Sequence, residues 1–98
     1  MVFIEVCKKD EIQEGEAKII DFNGEPVALF NVNGNIYATH NTCLHMGGPL
    51  GEGSLSGSIV TCPWHGWQYD VKTGLCTHNP SAKVKGYKVK INLSLIHI

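Results

Sequence analysis

The sequence contains no arginine: all eight of its basic residues are lysines, set against nine Asp and Glu. Without guanidinium forks there are no bidentate contacts to phosphate or base edges, and a formal net charge of −1 leaves no electrostatic footprint for a polyanion. A nucleic-acid partner is therefore excluded. No apolar run approaches the roughly 18 residues of a membrane span. Lys8, Lys9, Asp10 and Glu11 interrupt the start, where a signal peptide would carry its apolar region. The expectation is a cytoplasmic chain with no membrane partner. A C-x-x-C-H haem-attachment string is missing as well, and so are repeats, linkers and low-complexity tracts. With 98 residues, 43% of them apolar, there is material for one domain with a modest core and not for two.

Against these absences stand four cysteines and five histidines. In a secreted protein four cysteines would suggest two disulfides. In a reducing compartment they point to metal binding or redox chemistry instead, which makes their spacing decisive.

The surrounding pattern is β almost throughout. Residues 3–6 read as a short strand and 8–13 as one helical turn with Asp10 as a cap candidate. The apolar runs 17–22 and 27–32 flank Asn23-Gly24, a strong hairpin signal. Asn33-Gly34-Asn35 repeats the device before a third strand at 36–39, making a meander. Residues 40–58 hold five glycines, Pro49 and no clear period, so they are expected to form a long functional loop. Further strands are expected at 58–61, 67–71 and 84–91, with turns at 62–66 and 72–74 and a loop at 78–81. The fold class is thus all-β: a small antiparallel sandwich or barrel from which two loops protrude.

Those loops carry Cys43-Leu44-His45 and Cys62-Pro63-Trp64-His65, a C-x-H and a C-x-x-H pair separated by residues 46–61. Each lies among turn-formers, Gly47-Gly48-Pro49 in one loop and Pro63 and Gly66 in the other, so a single loop can offer two ligands to one centre without straining an element. Two thiolates with two imidazoles suit zinc or an iron–sulfur cluster and argue against calcium or magnesium. A structural zinc tetrahedron is the non-redox alternative, although zinc knuckles more often use C-x-x-C or H-x(3–5)-H halves. A Cys/His nucleophile would leave one pair unexplained. Cys7 is expected to be a buried or partly buried strand thiol and Cys76 a loop residue without assigned chemistry.

The paired half-motifs, with Gly47-Gly48-Pro49-Leu50 and Cys62-Pro63-Trp64-His65-Gly66-Trp67, resemble the Rieske [2Fe–2S] family, and the likeness covers nearly the whole chain. It implies the Rieske fold with two cluster-binding loops. Cys43 and Cys62 would hold one iron and His45 and His65 the other, with two bridging sulfides. The oxidised core would be neutral and the reduced core would carry one negative charge, so the centre moves one electron and makes no substrate bond. Imidazole Nδ1 would bind iron, leaving the Nε2–H of His45 and His65 toward solvent or a partner as an electron exit and a redox-coupled proton site. Leu44, Met46, Pro49, Leu50, Pro63 and Trp64 would form an uncharged rim that shields the cluster and suits brief, small-area docking.

In the family's high-potential branch, an extra cysteine in each loop forms a disulfide and a serine hydroxyl points at a sulfide. Here Gly48 and Trp64 stand at the first two positions and Trp67 at the third, so the resemblance implies a potential at the low end of the Rieske range, about −150 mV or slightly above. Tyr69 is left with two readings, a hydrogen bond to a cysteine sulfur or core packing.

A free-standing chain of this size resembles the ferredoxin component of multicomponent ring oxygenases, which passes electrons from a flavin reductase to a terminal oxygenase. The alternatives are the small subunit of an NAD(P)H-dependent nitrite reductase, partnered by its large subunit, or the N-terminal Rieske domain of a longer oxygenase or reductase. The run Trp64-His65-Gly66-Trp67 also resembles the Rieske domains of oxygenase large subunits, but His40, His78 and His97 are scattered and supply no second iron site. No catalytic residue is expected within the chain. Finally, residues 93–98 read like CTG TCT CTT ATA CAC ATC, the mosaic-end adapter of transposon-based sequencing libraries. The Rieske domain is accordingly expected over 1–92 and an adapter read-through over 93–98, with the terminal strand incomplete and a longer full protein.

Overall fold

The computed structural model describes residues 3–43, 47–64, 66–77, 79 and 81–98. Among the described residues ten strands run in chain order: β1 (Glu5–Lys8), β2 (Ala17–Phe22), β3 (Glu25–Val32), β4 (Asn35–His40), β5 (Ser54–Ser56), β6 (Ile59–Thr61), β7 (Gln68–Asp70), β8 (Gly86–Tyr87), β9 (Lys90–Asn92) and β10 (Leu95–His97). They form three antiparallel sheets of order β1-β10-β9, β2-β3-β4-β8 and β5-β6-β7. Among the described residues there is no α-helix, only 3-10 turns at Lys9–Glu11 and Leu50–Glu52. The expected all-β class holds.

The meander follows from its turns. Asn23 and Gly24 have φ of 53° and 83°, and Asn33 and Gly34 have 53° and 89°; positive φ at both central positions is what a type I′ hairpin turn requires. Asp21 and Asn31 each accept the turn glycine's N–H, at 2.9 and 2.8 Å. β3 is buried at every position from Val27 to Val32 because both of its faces are covered. Ala28, Phe30 and Val32 point into one core with Leu50, Val60, Tyr69 and Val84, while Val27 and Leu29 point into a second with Ile12, Ile36 and Ile96. A strand's period of two thus distributes a single apolar run between two cores.

Three expectations are corrected. The stretch 40–58 is not a continuous loop: it contains a 3-10 turn and β5, whose Ser54, Leu55 and Ser56 pair with Thr61, Val60 and Ile59. The stretch 84–91 divides between β8 and β9, which belong to different sheets. The turn expected at 8–13 is the 3-10 turn Lys9–Glu11, and its cap is the Glu11 carboxylate accepting the Lys8 N–H at 3.0 Å, not Asp10. Glu11 also pairs with Lys18 at 3.0 Å.

Residues 93–98 are placed inside the fold. β10 lies between β1 and β9, Ile96 is fully buried, and the N–H of Ile4 donates to the Ile98 carbonyl at 2.7 Å. The turn that delivers β10 has the wrong residues for its shape: Leu93 and Ser94 take φ of 52° and 64°, where the two meander turns use Asn-Gly. Left-handed backbone costs a non-glycine residue about 1–2 kcal/mol. Leu93→Asn with Ser94→Gly is therefore expected to raise the thermal midpoint by about 4–8 °C per kcal/mol recovered, checked by a calorimetric or circular-dichroism melt.

Candidate metal centre

The first predicted ligand loop is closed at its base by the end of β4. Asn41 uses three groups there: its N–H donates to the Pro26 carbonyl at 2.9 Å, its carbonyl accepts the Leu50 N–H at 2.7 Å, and its Oδ1 accepts the Gly51 N–H at 2.7 Å. Thr42 then bridges to Pro49, and Cys43 donates its N–H to the Gly48 carbonyl at 2.8 Å while accepting that of Gly47 at 2.9 Å. The second loop joins β6 to β7 and is closed by the Cys62 N–H donating to the Trp67 carbonyl at 2.7 Å. Each cysteine is thus the first residue of a hairpin-like loop, held by its own backbone.

Folding brings these two cysteines together. Cys43 and Cys62 are each 2% exposed and lie in one core with Tyr69, Val60 and Leu50. All four cysteines are free thiols, so no disulfide competes for these sulfurs. Burial pushes the Cys62 thiol above its ordinary value of 9.0; the Trp64 backbone N–H, hydrogen-bonded to it, pulls the other way, and the neighbouring Cys43 raises it again. The Tyr69 hydroxyl lies 3.4 Å from Cys43 Sγ and the whole side chain is buried. Both readings of Tyr69 are therefore correct: it packs in the core and it touches the sulfur, and toward a Cys43 thiolate it can only donate.

Cys7, in the other core, is also raised, by burial first and then by Glu11. An acid whose folded pKa exceeds its unfolded value leaves stability undiminished below the unfolded value and erodes it above, because the unfolded chain binds fewer protons there. The cluster-free protein should accordingly lose stability as pH rises past 9.0, the ordinary thiol value. A falling urea midpoint between neutral and alkaline buffer, flattened in the Cys7→Ala, Cys62→Ala double variant, is the expected result.

His45 and His65, with Leu44 and Met46 of the expected rim, lie outside the described residues. Among the described residues no group of three His, Cys, Asp or Glu converges. Each of the two loops that carry Cys43 and Cys62 also contains a histidine in sequence, His45 in one and His65 in the other. A buried thiol pair met by a hydroxyl and a backbone N–H fits a soft iron–sulfur or zinc centre.

Of the other rim residues, Pro63 is exposed, Trp64 is half-exposed and Pro49 half-buried. Leu50 is a correction: it is fully buried in the core, drawn in by its hydrogen bond to Asn41. Gly48 and Trp64, matched to the positions of the disulfide in the high-potential branch, do face one another. A Cβ built on Gly48 would lie 3.1 Å from that of Trp64. Trp67 packs partly buried against the core. His40 ends β4 and His97 sits in β10, whereas His78 lies outside the described residues.

Sequence reasoning missed the place of Cys76. It is buried in the same core as the thiol pair and is bridged across to Tyr69. A lone cysteine between Leu75 and Thr77 carried no period that could have signalled this.

A family model described as the Rieske [2Fe–2S] domain matches residues 2–88. The ferredoxin component of the naphthalene 1,2-dioxygenase/salicylate 5-hydroxylase systems of Ralstonia sp. is 39% identical over 90 residues, covering 91% of this chain and 86% of that protein. Among solved structures, a complex of reduced oxygenase and oxidized ferredoxin in carbazole 1,9a-dioxygenase contains a chain that superimposes with a TM-score of 0.89 at 28% identity, covering 98% of this chain and 91% of that one. The small subunit of an NADPH nitrite reductase superimposes with a TM-score of 0.87 at 18% identity, covering 99% of this chain and 97% of that one, which is a likeness of fold alone.

Proposed function

The chain belongs to the Rieske [2Fe–2S] domain family, and we propose that it is the ferredoxin component of a dioxygenase system, taking single electrons from a flavin reductase and delivering them to a terminal oxygenase. The observation that carries this reading is the convergence of Cys43 and Cys62, from two separate loops, into one buried pair within a chain 39% identical to a dioxygenase ferredoxin over 90 residues. In this assignment Cys43 and Cys62 hold one iron, and His45 and His65 hold the other. The cluster supplies one-electron chemistry when bound. The protein's part is to bury the sulfurs, donate hydrogen bonds to them from Tyr69 and Trp64, and present the histidine side of the loops to a partner. Four buried free cysteines suit a reducing compartment, and we place the chain in the cytoplasm.

Anaerobic purification followed by metal and sulfide analysis tests the assignment. Two irons and two sulfides per chain, with a rhombic low-g EPR signal on reduction, are expected; one zinc and no colour would refute it. NADH-driven turnover of a dioxygenase in the presence of a flavin reductase, dependent on this chain, tests the role. Gly48, Trp64 and Trp67, standing where the high-potential branch has its disulfide and serine, put the midpoint near −150 mV on the Rieske scale, and protein-film voltammetry returning a strongly positive value would contradict that.

A further inference from the structure

The backbone hydrogen bonds that close the two ligand loops run within each loop, and the cysteines are free, so no covalent bond ties one loop to the other. Among the described residues, Gly48 of one loop meets Cys62 and Trp64 of the other. Gly48 is buried although it has no side chain, and its Cα is pressed against the second loop. A Cβ there would meet Cys62 Sγ at 2.8 Å, Trp64 Cγ at 2.9 Å and Trp64 Cβ at 3.1 Å, the first two closer than real Cβ atoms come. Trp64 is 51% exposed, so part of its side chain faces water while its Cβ and ring base lie over Gly48. The same residue donates its backbone N–H to the Cys62 sulfur. Gly48 in turn accepts the Cys43 N–H at 2.8 Å. One apolar contact thus touches the Cys62 sulfur directly and, in Gly48, the residue whose carbonyl holds the Cys43 backbone N–H.

We infer that Trp64 is a positioning residue, whose indole, seated on Gly48, holds the two ligand loops together and keeps water from the Cys62 sulfur. This rests on the assignment of Cys43 and Cys62 as ligands. Without the indole the loops separate, water reaches the sulfurs, and the extra negative charge of the reduced state is solvated. Cluster release then becomes faster and the midpoint potential rises, with no redox partner involved. An alanine at Gly48 acts from the other side, because its methyl would displace Trp64 or Cys62.

The test uses isolated cluster-loaded protein under anaerobic conditions with excess EDTA, following the loss of visible absorbance. Trp64→Ala and Gly48→Ala are each expected to lose the cluster about tenfold faster than the unaltered protein, the scale on which supporting contacts act on metal sites. Trp64→Phe, which keeps a ring over Gly48, should restore most of the lifetime. Voltammetry should show a raised potential for Trp64→Ala. Ile91→Ala, at an exposed apolar position on β9 in the sheet that β9 forms with β1 and β10, should leave both values unchanged. Circular dichroism of the cluster-free variants separates unfolding from loop opening; if Trp64→Ala does not fold, Gly48→Ala carries the test. Unchanged lifetime and potential in the folded variants would overturn the inference, and so would an effect confined to electron delivery to an oxygenase, which would make Trp64 a docking residue. Failure of the unaltered protein to hold iron and sulfide would instead strike the ligand assignment.

Discussion

Alanine at Cys43 or at Cys62 abolishes cluster binding, whereas alanine at Cys7 or at Cys76 leaves two irons and two sulfides per chain: this partition of the four cysteines is the largest effect expected of any substitution here. All four thiols are buried, so burial does not distinguish them. What does is the company each sulfur keeps. Cys43 and Cys62 are neighbours at the mouths of two loops and are approached by the Tyr69 hydroxyl and the Trp64 N–H. Cys7 sits in the opposite core beside Ile12, Leu29 and Ile96, with no second thiol in that cluster. Cys76 shares the first core, but its backbone is committed to Tyr69 and to the Ala82 carbonyl, accepting its N–H at 3.0 Å. Removing either loop thiol would leave one iron with a single protein ligand, and the remaining thiol of that core, Cys76, is held on a different segment by its backbone bond to Ala82. The variants at Cys7 and Cys76 are expected to lose about 1 kcal/mol of stability and none of the cluster, measured as iron and sulfide per chain beside a urea titration.

The parts legible in the sequence are those with a local cause. Asn23-Gly24 and Asn33-Gly34 each determine a turn, and the turns determine the register of three strands. The two half-motifs name the loops because ligand spacing within a loop is a short-range constraint. The parts that escaped depend on pairing across long distances. Ser54-Leu55-Ser56 has one apolar side chain and glycines nearby, and becomes a strand only because Val60 lies opposite Leu55. The alternation over 84–91 is continuous in sequence, yet Tyr87 pairs with Ala38 while Ile91 pairs with Ile96, and no local period encodes which sheet a residue joins. Leu50, expected on the rim, is turned inward by a carbonyl nine residues back.

The same long-range logic makes Gly74→Ala the second large effect. Gly74 has a φ of 81°, and an added Cβ would stand 2.5 Å from the Val84 carbonyl oxygen, which belongs to backbone and cannot rotate away. At Gly24 and Gly15 the φ is also positive, 83° and 81°, but the space beside them is open, so alanine there costs only the left-handed backbone, about 1 kcal/mol. At Gly74 that cost is joined by displacement of the backbone at Val84, a buried residue. The Val84 N–H donates to the Gly74 carbonyl at 2.9 Å, and Gly74 donates its own N–H to Asp70 at 2.7 Å. Pushing 84 away from 74 therefore pulls on the end of β7. A single residue separates Asp70 from Gln68 in β7, and it is Tyr69, bridged to Cys76 and in contact with the Cys43 sulfur. The expected loss is about 3 kcal/mol in a urea titration, well above that for Gly24→Ala. Because the strain runs toward Tyr69, the Gly74 variant should also shift the midpoint potential of the loaded protein, while Gly24→Ala should not. Equal losses at the two glycines would mean that the chain around Val84 yields to the added methyl, and that the path from this turn to the Cys43 sulfur is slack.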